Sequence, residues 1–147
     1  MHHEKGAEIR VYSGSSAGLQ SGTRNHVPVT MVEINLDPHA SAELDIAASY
    51  NGFAFVIDGS VRIGDTELNT GQVGWLDRLT DSGTSVLRVL ASESGARLVL
   101  YAGQPQGDLI VSYGPFIGDS KQDIARLFTE YQSGRFPRLS ELKNQQV

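Results

Sequence analysis

Few residues in this chain could do chemistry beyond hydrogen bonding. With no Cys, it can form no disulfide, no thiolate metal site and no Cys nucleophile. The candidates for a metal or acid–base site are His2, His3, His26 and His39, with the carboxylates near them. Imidazole binds transition metals and can carry a proton near neutral pH, so its placement is the first test of chemistry. His2 and His3 lie at the chain end and read as a frayed terminus. His26 precedes an apolar run and reads as a surface residue. His39, in Asp37-Pro38-His39, is the best placed, although a lone His in such a turn is more simply a loop hydrogen-bonder. No two His share a strand face. A metal site would have to be assembled from distant segments, with His39, Glu43 and Asp77 as its ligands. For a small molecule, Tyr50, Phe53, Phe55 and Trp75 could wall an aromatic pocket, and Asp77 with Arg78 could anchor a polar group. Core packing and a solvated loop pair are the simpler readings of those two sets.

The elements that must position these residues are strands. The organising stretch is Phe53 to Leu76, a meander with tight turns. Asp58-Gly59 suits a two-residue type I′ turn, Gly64-Asp65 a type II′ turn, and Thr70-Gly71 a third break. Phe53, Phe55 and Ile57 share one face of the first strand, and Ala54 and Val56 the other. Both faces are apolar, which predicts an inner wall rather than a half-exposed strand. Further strands are expected at 9–13, 27–36, 84–91, 96–102 and 109–113, while 40–49 reads equally as helix, strand or loop. In the 84–91 strand, Arg88 shares a face with Val86 and Leu90, which either meets solvent or a partner or lets Arg88 pair with a carboxylate. Past Gly114 the pattern changes. Ser120 with Asp123 forms a capping-box pattern, and Ile124, Leu127, Phe128 and Tyr131 follow as a helical stripe. Gly134 suits the C′ position and Pro137 blocks a restart, with a weak helical turn possible at 140–146.

Composition bounds the function. The chain has 147 residues, enough for one domain with a real core, and its 16 Gly against 2 Met fit a turn-rich β protein. A formal net charge of −5 argues against a duplex nucleic-acid binder and against docking on an anionic membrane. No apolar run approaches the ~20 residues of a membrane helix, and the first residues lack a signal-peptide core, so a cytoplasmic location is expected.

Several pieces together resemble the pirin family. Tyr113-Gly114-Pro115-Phe116-Ile117, the helix after it, and Tyr131-Gln132-Ser133-Gly134-Arg135-Phe136 are similar to the C-terminal signature of pirins. Leu98 to Pro105, Leu36-Asp37-Pro38 and Ile57-Asp58-Gly59-Ser60-Val61 fall where pirin C-terminal domains have similar pieces. The resemblance covers nearly the whole chain. It implies an all-β cupin fold: a double-stranded β-helix of two antiparallel sheets with a C-terminal amphipathic α-helix, as one domain over 1–147. The barrel would span about 8–113 and the tail and helix 114–147. Pirins join two cupin domains, and this sequence looks like the second standing alone. The family's metal centre and quercetin-dioxygenase activity belong to the first domain and do not transfer.

The general cupin metal pattern supplies two His and a Glu from one segment and a third His from another. Aligned on Gly59, its Glu slot falls at Gly52 and its His slots at Ile46 and Ala48, or Asp45 and Ala47. None of these can bind as imidazole, so no metal and no cofactor is expected. Three readings follow. The first is a non-catalytic, homodimeric interaction or scaffold module. The second is a metal-free small-molecule binder using the barrel cavity, with His39, Tyr50, Trp75, Asp77 and Arg78 as its contacts. The third is a metal-dependent dioxygenase with unorthodox ligands. A filled barrel favours the first, and a cleft walled by Tyr50 and Trp75 favours the second.

Overall fold

A computed structural model describes residues 2–4, 6–80 and 82–137. The expected helical turn at 140–146 lies outside the described residues. The protein is all-β with one helix, and its chain forms two compact units, residues 1–105 and 106–147.

The first unit is a cupin barrel. In chain order its strands are β1 (His2–Glu4), β2 (Ala7–Ser13), β3 (Ser15–Ser16), β4 (Leu19–Gln20), β5 (Val29–Leu36), β6 (Ser41–Ala47), β7 (Asn51–Ile63), β8 (Thr66–Asn69), β9 (Val73–Leu76) and β10 (Thr84–Gly103). Every ladder is antiparallel. β1, β2, β5, β10, β7 and β8 run in that order, β6 adds to β10, β9 adds to β7, and β3–β4 form a small separate hairpin. The ambiguous 40–49 stretch is therefore a strand: Ala42, Leu44 and Ile46 turn inward, while Ser41, Glu43 and Asp45 face water. Residues 2–4 are a strand rather than a frayed end, with His2 opposite Ile9 and Glu4 opposite Ala7.

The two long strands build both layers. One half of β10 (96–103) lies between β5 and the first half of β7, and the other half (84–90) lies against β6. The register shifts between Ala91 and Ala96, where the strands bend from one layer into the next. This corrects the Asp58-Gly59 expectation: no hairpin forms there, and β7 runs straight through. Gly59 keeps a positive φ of 72°, but it needs to be Gly for another reason. A Cβ there would meet the Gly95 carbonyl oxygen at 2.1 Å. The Gly64-Asp65 turn forms as expected, with Ile63 opposite Thr66 and positive φ at Gly64 alone, the II′ signature.

Among the described residues, aliphatic side chains fill the barrel centre. Val32, Ile34, Leu44, Val56, Leu98 and Leu100 are each 0% exposed and belong to one contiguous cluster. At about 1.5–3 kcal/mol for each buried aliphatic side chain, this plug is the main favourable term of the unit.

The second unit holds β11 (Val111–Tyr113), β12 (Phe116–Gly118) and α1 (Lys121–Gln132). The expected last strand at 109–113 is shorter and turns through Gly114-Pro115 into a partner. The helix is capped at both ends as its sequence predicts. Ser120 Oγ accepts from the Asp123 N–H at 3.1 Å. Past the helix, Arg135 N–H donates to Glu130 O and Gly134 N–H to Tyr131 O, a Schellman motif with Gly134 at φ 71°. Phe116 anchors the unit, with ring centroids 4.9 Å from Phe128 and 5.9 Å from Tyr131.

Candidate functional site

The outer face of the β5–β10–β7–β9 layer departs most from expectation. Inward residues alternate with outward ones, so Ala54 and Val56 on β7 are buried while Phe53, Phe55 and Ile57 face out. The apolar run of β7 is thus not doubly buried: Phe55 is 36% and Ile57 37% exposed. Register extends the row sideways. Tyr101 lies opposite Phe53, and Phe53 opposite Trp75. Val99 lies opposite Phe55, and Phe55 opposite Val73. The Phe53 ring stacks on Tyr101 at 5.7 Å and meets Trp75 edge-on at 5.5 Å. Trp75 is 79% exposed. A flat aromatic ladder in water is a costly surface, and contiguous exposed apolar patches of this kind mark interaction sites.

One edge of this face carries a buried acid. Glu33 points outward from β5 opposite Val99, yet it is only 4% exposed, because Tyr12, Arg10 and Arg97 cover it. The Tyr12 hydroxyl donates to Oε2 at 2.5 Å, and Arg97 Nε donates to Oε1 at 2.8 Å. Arg10 adds a cation 3.6 Å from Oε2. The Tyr12 hydroxyl, and then the Arg97 guanidinium, hold the Glu33 carboxyl below its ordinary value. Sequence reading passed over this cluster. Its one local signal was a lone charged residue on β5, set between Val32 and Ile34.

The residues singled out from sequence are scattered over the barrel. His39 sits in the turn between β5 and β6 at a positive φ of 59°, its N–H bonded to Ser92 O. It lines a groove of about 230 Å³ with Arg62, Glu67 and Glu93. Glu43 faces solvent on β6 and accepts from Arg88 Nε at 2.9 Å, the pairing anticipated for that Arg. Asp77 and Arg78 are exposed beyond the end of β9. Tyr50 lines a cleft of about 310 Å³ with His26 and Thr30, and Trp75 is not on its wall. Trp75 and Phe55 are not core, as the simpler reading had them, but form part of the outward ladder.

The residues at the general cupin pattern's positions do not fit a metal ion. In one setting of the His slots, Ile46 and Ala48 are buried and aliphatic; in the other, Asp45 faces water and accepts from the Ala17 N–H, with the aliphatic Ala47 beside it. Gly52, in the pattern's Glu slot, has no room for a side chain: a Cβ would stand 2.9 Å from the Tyr101 carbonyl oxygen and 3.0 Å from the Ala102 Cβ. Among the described residues, no group of three or more His, Cys, Asp or Glu is placed to hold an ion. No helix among them is long and apolar enough to cross a membrane.

The comparisons with known proteins agree with this barrel. The model of the pirin C-terminal cupin domain matches residues 31–137. The chain belongs to this family. Pirin-like protein 2 of Arabidopsis thaliana is 27% identical over 137 residues, covering 90% of this chain and 42% of the relative. Human pirin is 23% identical over 130 residues, covering 88% of this chain and 45% of its own. Among solved structures, a quercetin 2,3-dioxygenase from Acinetobacter baumannii superposes with a TM-score of 0.79 at 24% identity, over 93% of this chain and 46% of that one. This pirin-type domain spans about half the length of the curated relatives it matches.

Proposed function

We propose that this chain is a pirin-type cupin module that works through its outer sheet face, pairing there with a second copy of itself. The aromatic ladder of Tyr101, Phe53, Trp75 and Phe55 over a filled barrel carries this reading. At roughly 150–250 Å² per aromatic side chain, the exposed fractions of these rings leave some hundreds of Å² in water. A specific interface takes about 800 Å² per partner, so the ladder is large enough to be its apolar centre, with the polar rim supplying the remainder. Charge supports a like partner. The chain carries −5 overall, but on this face Glu33 is neutralised by Arg97 and Arg10, so two copies can approach without facing bare carboxylates.

The test is sedimentation velocity on the wild-type chain and on Phe55→Glu and Trp75→Ser. The expected result is a wild-type dimer and monomeric variants with unchanged circular dichroism. A wild-type monomer at every concentration, or a dimer indifferent to both substitutions, would overturn the reading. Dioxygen-dependent loss of quercetin absorbance on protein supplied with iron, manganese or nickel would favour the catalytic reading that the Acinetobacter relative's name suggests.

A further inference from the structure

The cleft beside Tyr50 has a lining of a distinct chemical kind. It lies where β5 begins, beneath the loop that joins β4 to β5. Thr30 is the first inward residue of β5, and the aliphatic plug starts one step deeper, at Val32. The cleft, about 310 Å³, is thus a shallow mouth above a closed interior. Its side chains able to hydrogen-bond are those of Ser15, Thr23, Asn25, His26, Thr30 and Tyr50, and among the described residues no Asp, Glu, Lys or Arg lines it. In a chain that is 20% charged, such a wall selects against ions. Among the described residues, a phosphate or carboxylate would meet no Lys or Arg, and an ammonium no carboxylate.

Hydroxyl, amide and imidazole groups share one property: each can both donate and accept. They suit a ligand that does the same at many points, such as a sugar or polyol hydroxyl. The Tyr50 ring supplies an apolar surface for the C–H side of a pyranose. The volume is at the small end for ligand sites, sized for one sugar ring rather than a fused polyphenol.

The walls are also set in place. Thr23 Oγ1 donates to Tyr12 O at 2.8 Å, and Ser13 Oγ donates to Val29 O at 3.0 Å. Gly14 lets the loop close onto β5: a Cβ there would stand 2.6 Å from Val29 O, at a φ of 72° that already favours Gly. Among the described residues, the His26 ring and the Thr30 and Tyr50 hydroxyls make no hydrogen bond of their own, which leaves them for a ligand. We infer that this cleft is a binding site for a neutral monosaccharide or cyclic polyol. It is independent of the sheet face and of pairing.

The experiment is a ¹⁵N-resolved NMR titration of the full chain with D-glucose, D-galactose and myo-inositol. A sugar phosphate, a uronic acid and quercetin serve as contrasts. The expected result is saturable shifts at residues 14–30 and 50 with at least one neutral compound, and none there with the charged pair. Tyr50→Phe and His26→Ala should each weaken binding about three- to tenfold, the loss of one hydrogen bond. Tyr50→Phe keeps the ring and its packing, so a folding defect would not mimic this result. No shift with any neutral compound, equal binding of the charged ones, binding of quercetin alone, or shifts confined to the His39 groove would each overturn the assignment. None of these outcomes bears on the dimer, which sedimentation reads separately.

Discussion

Glu33 is the buried charge on which the edge of the outer sheet face depends. Its carboxylate is 5% exposed and holds Tyr12 at 2.5 Å and Arg97 at 2.6 Å. Glu33→Gln keeps the shape and can still accept from Tyr12, but it loses the charge-assisted bonds to the guanidinium. Such bonds are worth about 1.5–3 kcal/mol each. The stranded cations are 53% (Arg97) and 41% (Arg10) exposed and can rehydrate, which limits the damage. The expected loss is about 2 kcal/mol, or a Tm lower by about 4–8 °C for a chain of this size. Arg97→Gln should cost more, about 3 kcal/mol or above, because it leaves a buried carboxylate with only Tyr12 and a more distant Arg10. The pH dependence follows in sign. A carboxyl held below its ordinary value binds its proton more readily in the unfolded chain. Its stabilisation is therefore full above about pH 4.3 and is lost as the pH falls through the lower folded value. Thermal melts of wild type and Glu33→Gln should differ by a constant amount near neutral pH and converge in acid. A difference that persists unchanged into acid, or a milder effect for Arg97→Gln than for Glu33→Gln, would refute the view that ionised Glu33 organises this edge.

Other outcomes are narrower. Gly59→Ala should destabilise by more than about 3 kcal/mol in urea melts, since its Cβ would overlap the Gly95 carbonyl. Gly64→Ala, at a positive φ in open space, should cost only about 1–2 kcal/mol. Ser120→Ala removes the N-cap bond to Asp123 and should cost about 1 kcal/mol, seen as faster amide exchange in the first turn of α1. Elemental analysis of protein freed of His2 and His3, after growth with added iron, manganese, nickel and zinc, should find metal well below one equivalent. A stoichiometric ion would require ligands other than the residues lining the barrel.

What was legible in the sequence was local. The helix announces itself through Ser120, its four-residue apolar stripe and Gly134, all within one short segment, and the Gly64-Asp65 turn needs only its own two residues. Asp58-Gly59 looks the same on paper but is decided from a distance, by the Gly95 carbonyl packed against Gly59. The Glu33 cluster joins residues 21 and 64 positions apart, which no spacing rule reaches. The doubly apolar pattern of β7 was ambiguous in kind. A strand buried on both faces and a strand with one face awaiting a partner have the same sequence, and only the position of the layer tells them apart.

The closed interior and the open face share one cause in the bend of β7 and β10. The bend lets aliphatic side chains from both layers meet in the middle, where Ala54 and Ala102 are fully buried close to Gly52. Gly52 cannot take even a methyl without moving the Tyr101 backbone. Restoring a carboxylate there would require the backbone at Tyr101 and Ala102 to shift, and with it the packing of Phe53 against Tyr101 on the outer side. The same strand pairing that shuts the metal position sets the spacing of the aromatic ladder. A substitution that opened the barrel should therefore disturb the outer face as well, and a single-site gain of metal binding with the ladder intact is the outcome this geometry disfavours.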